Sequence, residues 1–441
     1  MGIWSWFLGK EDNSTAPNIR FGRYSDSYKQ PENYVAWESS LQAYERGNFL
    51  ECCRQFLFYI QDKKENNVQW RENDGVIEAA LIQGSQKVTI QATAEYFKAE
   101  SHIARAENLS VGLMRRLLEQ NSQLNFGHFA LSPDNELNAM VTSHAIDASP
   151  YKLYYAVKEI AIISDKQDNL LLEEFKNLYV VDESLRLPMP EKEKETKYQL
   201  VIDTIQQAFH YIDTTDLNLE LHNKVVGYTI FAALFRIDYL TCPEGYVMEL
   251  IERSFRTYNQ NDGKNMLQKN KQLRRDTQEI LSRSKEEHLR EMYRVTATFG
   301  VADSATHERV SETIESSMVN AGWYERNNYP WVAQAVYDYI VGFLFFSFAM
   351  PKNDKKALDL YYEIIDESYF NQLGFSSKYK NLDNSIQKNE VEKKLQAIFA
   401  ENKANYPKAK FDMSEIDYSS ILNFSKTYLL MLLKLDLTRS N

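Results

Sequence analysis

The sequence predicts an α+β domain followed by an all-helical domain. Three observations carry that prediction. Runs with a two-residue hydrophobic period, separated by turn signals, fill positions 76–145. Leu187-Pro188-Met189-Pro190 and the alternating charges Glu191-Lys192-Glu193-Lys194-Glu195 then interrupt the chain. Beyond Thr196 the apolar residues recur at helical spacing, with no convincing strand. A length of 441 residues allows two or three cores, and only 15 Gly and 10 Pro favour long helices over turn-rich β architecture.

The order of elements follows from the punctuation. Residues 1–30 read as an N-terminal arm, aromatic at its tip and polar at 11–17. Positions 31–62 are helical, with Gly47-Asn48 splitting them in two. Segments 76–83 and 87–94 flank Gly84-Ser85, a pair suited to a type II′ hairpin turn. A third strand is expected over 96–104. Ser110 caps a helix whose apolar face holds Val111, Met114, Leu117 and Leu118. Two further strands, 126–131 and 137–145, surround Pro133-Asp134-Asn135. Ser149 and Pro150 open a helix reaching at least Phe175, with Leu153, Val157, Ile160 and Ile163 on its core face. The result is α-β-β-β-α-β-β-α with an antiparallel five-stranded sheet over 31–187. A charged linker at 188–195 and a helical domain at 196–441 complete the division. Within the latter, 264–294 reads as one long, partly exposed helix. Segment 331–350, apolar on all sides, reads as the buried centre, with Asp338 expected near a solvent-facing helix end.

Composition narrows the function. A net charge of −11 repels a phosphate backbone, so nucleic acid is not an expected partner. Three cysteines, Cys52, Cys53 and Cys242, make no disulfide framework. Cys52 and Cys53 are helical neighbours, so one is expected on the core face and the other on its flank. The longest apolar runs fall short of the roughly 20 residues a bilayer span needs, and no secretory signal is visible. The expected location is the cytoplasm.

No catalytic pattern stands out. His128 and His144 lie on neighbouring predicted strands, but no third ligand comes at metal-binding spacing. No phosphate-cradling glycine loop or nucleophile elbow occurs. Glu173-Glu174 and Asp366-Glu367 read as solvated helix faces, and Lys269, Lys271, Arg274 and Arg275 as a diluted basic surface. No catalytic residue, metal or cofactor is expected.

The element order over 31–187 resembles the type III secretion chaperone-like fold, in particular the bacterial YbjN family. The nearest local match is Leu124-Asn125-Phe126-Gly127-His128-Phe129-Ala130-Leu131, where a helix end passes into a strand. The strand at 136–142 and the final helix carrying Asp165 and Asp168 also fit. The resemblance covers under half the chain, and the helical half is an addition to it. It implies a binding module without catalytic residues, one that dimerises and wraps an extended segment of a partner. The expected function is therefore a non-enzymatic adaptor or chaperone-like factor of a bacterial cell. Trp4, Trp6, Phe7 and Leu8 are the candidate partner contacts, since exposed Trp suits an interface. Two alternatives stand beside this: an enzyme with its site in the helical half, and a membrane-peripheral component anchored by the same aromatic tip.

Overall fold

The computed structural model describes residues 17–22, 29–403, 406–409 and 412–437. A helical hairpin comes first. Pro31 starts α1 (Pro31–Glu45), where its missing N–H costs nothing. The chain reverses at Gly47, and Asn48 caps α2 (Phe49–Ile60) by accepting from the Glu51 N–H at 3.2 Å. Ser40 Oγ donates to the Cys52 carbonyl at 2.8 Å, which ties the two helices together.

The sheet contains all five expected strands and two more. β1 (Val68–Asn73) pairs with β2 (Val76–Gln83), which pairs with β3 (Gln86–Ala92). Asp74 and Gly75 both have positive φ (50° and 75°), the type I′ geometry that twists a hairpin correctly. At the next tip Gly84 has positive φ (55°) and Ser85 does not, as the expected type II′ turn requires. β4 (Tyr96–Ala106) leads to α3 (Val111–Asn121), then β5 (His128–Leu131) and β6 (Glu136–His144). The strand order is β1-β2-β3-β4-β6-β5, antiparallel throughout. α4 (Pro150–Glu174) follows, and β7 (Leu178–Val180) adds to the far end of β4.

Alternation decides which face is covered. Val88, Ile90 and Ala92 are buried, while Lys87, Thr89 and Gln91 keep part of their surface in water. α4 lies across β2, β3, β4 and β6, with α1 and α2 alongside it. Each apolar side chain enclosed there stabilises the fold by roughly 1.5–3 kcal/mol.

The helical half comprises α5 (Glu191–Thr214), α6 (Lys224–Thr241), α7 (Gly245–Asn259), α8 (Met266–Ser282) and α9 (Lys285–Arg290). After a two-residue strand β8 (Asp303–Ser304) come α10 (His307–Met318), α11 (Ala321–Arg326) and α12 (Pro330–Ser347). β9 (Phe348–Ala349) pairs with β8 in parallel. The chain ends through α13 (Lys352–Ile365), α14 (Glu367–Gln372), α15 (Lys388–Asn402) and α16 (Ile421–Leu433). α12 is the central helix that its all-round apolarity predicts. It crosses α6 so closely that a Cβ on Gly342 would stand 2.6 Å from Phe235 Cβ. Among the described residues, no helix is long and apolar enough to cross a membrane.

Three expectations are corrected. The stretch 264–294 is two helices, because Ser284 caps a new one by accepting from the Glu287 N–H at 3.2 Å. Asp338 sits in the middle of α12, not near its end, where it accepts from Tyr361 Oη at 2.8 Å and Gln334 Nε2 at 2.9 Å. The charge run at 191–195 is the start of α5. Glu193 is buried there, with Lys197 at 3.1 Å and Arg294 beside it. Helical spacing turns Glu193 inward, where two cations offset its desolvation.

The two halves interlock. Phe299 leaves the helical half and is fully buried in the core beneath the sheet. Leu187 and Arg294 exchange both backbone hydrogen bonds, at 3.0 and 2.9 Å. Ahead of α1, residues 17–22 rest on the helical half. There Phe21 packs on Phe370 and Phe375 with ring centroids 4.8 and 5.7 Å away, and the Gly22 N–H donates to the Tyr239 carbonyl at 2.7 Å.

Candidate binding surfaces and a buried acid cluster

Asp165 and Asp168 are three residues apart on α4, so they share a face. That face meets the β2–β3 tip. Asp165 Oδ1 accepts from the Ser85 N–H at 2.8 Å, and Oδ2 accepts from Gln83 Nε2 at 3.0 Å. Asp168 Oδ2 accepts from Ser85 Oγ at 2.6 Å, Gln86 Nε2 at 2.9 Å and Arg186 Nη2 at 2.7 Å. The Arg186 guanidinium lies 5.2 Å from the centre of the Tyr293 ring, and Tyr293 Oη accepts from Asn169 Nδ2 at 2.8 Å. Gln83 Oε1 also accepts from the Phe299 N–H, and the Gly84 N–H donates to the Ala297 carbonyl at 2.9 Å. Only glycine fits at position 84, since a Cβ there would lie 2.1 Å from Asp165 Oδ1.

This cluster joins the hairpin tip, α4 and the segment 293–299. Burial pushes Asp165 up to about 7, and the Asp168 charge pushes it further in the same direction. A carboxyl tuned that way suits acid–base chemistry. Here it is enclosed on every side: Asp165 is 4% exposed and Asp168 0%. No reactant reaches it. The arrangement is a fastener.

The other polar positions read from the sequence are either buried in the fold or scattered over its surface. Cys52 and Cys53 are both buried, neither on a flank, and burial raises both thiols, which removes nucleophilic character. His128 pairs with Met140 and His144 with Tyr96, so the two imidazoles stand four residues apart along β6. No group of three metal-ligating side chains occurs among the described residues. Glu173 bonds to Arg283 at 2.7 Å and Glu174 to Arg116 at 3.2 Å, so they do not converge. Asp366 and Glu367, expected in solvent, are buried. Asp366 accepts from Arg236 Nε and Nη2, and Glu367 accepts from the Tyr379 N–H at 2.6 Å. Arg274 forks onto Asp213 at 2.7 and 2.6 Å, and Lys269 donates to the carbonyls of Tyr258 and Gln260.

Three surfaces among the described residues bear on the expected function. The uncovered sheet face holds an open hollow of about 390 Å³ lined by Arg71, Glu78, Lys87, Lys98 and Glu100. Most of its charges are paired, Arg71–Glu78 and Lys98–Glu100 both at 2.6 Å, and Lys87 faces Asp182 at 3.9 Å. A cleft of about 580 Å³ in the helical half is lined by Phe21, Tyr239, Asp359, Glu363 and Lys394. Burial raises Glu363, which accepts from Tyr379 Oη at 3.0 Å, and Asp359 accepts from Tyr239 Oη at 2.7 Å.

The third surface is α3. Ser110 caps it as expected, accepting from the Leu113 N–H at 3.1 Å. Leu113 and Leu117 enter the core, but Val111 is 87% exposed, Leu118 67% and Met114 38%. The apolar face read from the sequence therefore points mostly outward, because Leu113 and Leu117 suffice to seat the helix. The Arg115–Glu119 and Arg116–Glu174 ion pairs lie along one side of the stripe. Trp4, Trp6, Phe7 and Leu8, the contacts expected from the sequence, lie outside the described residues.

No protein-family model matches the chain, and comparison with curated proteins found no match.

Proposed function

We propose that this protein is a non-enzymatic, cytoplasmic protein-binding factor of the chaperone-like or adaptor class, with the outer stripe of α3 as its docking surface. One observation carries the reading. Val111, Met114 and Leu118 recur at i, i+3 and i+7 on the solvent side of a helix whose opposite side already anchors it. A helix presenting such a stripe beside a charged edge has features of an interface: an apolar centre and a polar border. The partner supplies a complementary apolar segment. The resemblance of 31–187 to the YbjN and secretion-chaperone folds supports the same reading.

Replacing Val111 and Leu118 together with Asp tests it. The expected result is an unchanged melting temperature and loss of the proteins that co-purify with the wild type from its host. A folded double variant that retains every partner overturns the assignment. Light scattering decides whether the partner is a second copy, since a dimer would become a monomer.

A second reading has its own observation. The cleft at Asp359 and Glu363 places a carboxyl raised by burial beside open space, as an enzyme in the helical half would need. It ranks lower because each carboxylate already accepts from a tyrosine of the same chain.

A further inference from the structure

A third cleft of about 260 Å³ opens where α1, α2, the start of α4 and the 302–304 segment meet. Its walls are aromatic. Trp37 lies 4.6 Å from Tyr59 and 5.0 Å from Tyr151, the latter edge-to-face at 86°. Tyr154 and Tyr155 continue the wall, 5.5 Å apart and also edge-to-face. Tyr34, Tyr151 and Tyr155 are each about half exposed (48%, 56% and 53%), so aromatic surface stands open at the rim. The Asp303 carboxylate, on β8, lies at the mouth. Its ion pair with Lys158 is long at 3.7 Å, and its side chain is 83% exposed.

We propose that this cleft is a binding site for a small quaternary or methylated ammonium group. Tyrosine and tryptophan rings present negative faces, and several rings at steep mutual angles surround a cation better than a flat apolar ligand. A carboxylate at the mouth adds charge complementarity. One ring of the wall already holds a cation from outside the cleft: the Lys29 ammonium lies 5.3 Å from the centre of the Tyr59 ring, in a residue only 5% exposed. The volume lies below the roughly 300–1,000 Å³ typical of pockets for drug-sized ligands, which fits a head group. A free choline-like molecule and a trimethylated lysine side chain present the same chemistry.

Choline and its neutral isostere 3,3-dimethylbutanol separate cation recognition from simple apolar contact. Titration calorimetry of the full chain, with saturation-transfer NMR on the ligand methyls, is expected to show choline binding about tenfold more tightly than the alcohol. Tyr151→Ala should abolish the difference, Tyr151→Phe should keep it, and Asp303→Asn should weaken choline several-fold. Tyr151 and Asp303 are exposed, so the variants should melt with the wild type. A trimethyl-lysine peptide binding more tightly than choline would assign the source to a modified protein, and the reverse to a free metabolite. Equal binding of choline and the alcohol, or choline binding that survives Tyr151→Ala in a folded variant, overturns the proposal. So does the absence of any saturable choline signal.

Discussion

The two halves use the same three charges for different ends. In the N-terminal half, Asp168 pairs with Arg186 while its neighbour Asp165 rises to about 7 through burial. In the helical half, Asp366 pairs with Arg236 while Asp338, nearby, rises to about 6 through burial. Each is two acids and one guanidinium. The first set draws its partners from 83–86, 165–169, 186 and 293–299, segments of both halves. The second draws on α6, α12, α13 and α16, all within one core. Identical chemistry thus fastens two halves together in one place and fixes the register of packed helices in the other.

The sharpest way to break the comparison is at the turn that only one cluster has. Gly84→Val places a branched side chain at φ +55° against Asp165. It should cost more than about 4 kcal/mol by denaturant unfolding. Gly75→Ala, at another positive φ but with no atom within 4 Å of the added Cβ, should cost about 1 kcal/mol. Equal losses at the two turns would mean that the Asp165 contact carries no weight.

Asp168→Ala and Asp366→Ala each strand a guanidinium, so each should cost about 3–5 kcal/mol. Their reach should differ. Amide exchange at Phe299, whose N–H is held by Gln83, should accelerate strongly in Asp168→Ala and little in Asp366→Ala. Equal acceleration in both would erase the distinction between fastener and register.

Acidity gives the next effect. Asp165, Asp338 and Glu291 have folded pKa values of about 7, 6 and 7, above their unfolded values near 4, with burial the leading cause in each. Between about pH 4 and 7 the folded chain therefore binds more protons than the unfolded one, and stability falls as pH rises. His307 works in the same direction: burial alone would lower it, but its bond to Asp354 leaves it raised. His288, lowered by burial, works against them. The lowered acids, such as Glu136 beside Arg105 and Asp213 beside Arg274, act below about pH 4.5 and with opposite sign. Stability should therefore fall as pH rises from 5 to 8. A melting temperature that rises from pH 5 to 8 would reverse the account.

The smallest effect on stability belongs to the α3 stripe. Leu118→Asp should change unfolding free energy by less than about 0.5 kcal/mol, because the side chain is already in water. A loss of several kcal/mol would show that Leu118 is seated against its own fold.

Much of this architecture was legible from turn chemistry and period. Gly84-Ser85 and Pro133-Asp134-Asn135 placed their hairpins, and Ser110 and Ser149 placed their helices. β1 was missed although Asp74-Gly75 marks its turn, because Gln69, Arg71 and Glu72 dilute the alternation in a strand at the sheet edge. β7 is three residues long and carries no period to read. The burial of Glu193, Asp366 and Glu367 was hidden because each is secured by a partner distant in sequence. The outward turn of α3 was hidden for a related reason: five apolar residues fit one helix, and only the packed chain shows which two the core takes. The aromatic cleft draws on four segments, none of which signals it alone.

The placement of residues 17–22 has a practical consequence for dividing the molecule. They rest against Tyr239, Phe370 and Phe375 of the helical half, yet nine residues after Gly22 the chain begins α1 of the other half. The segment 293–299 crosses in the opposite direction to reach the sheet. A cut at 187 therefore separates neither half cleanly. The first fragment keeps Phe21 without its hollow, and the second keeps Phe299 without its core. Two such fragments made separately should be sticky apart and should recombine on mixing, as the parts of a split reporter do.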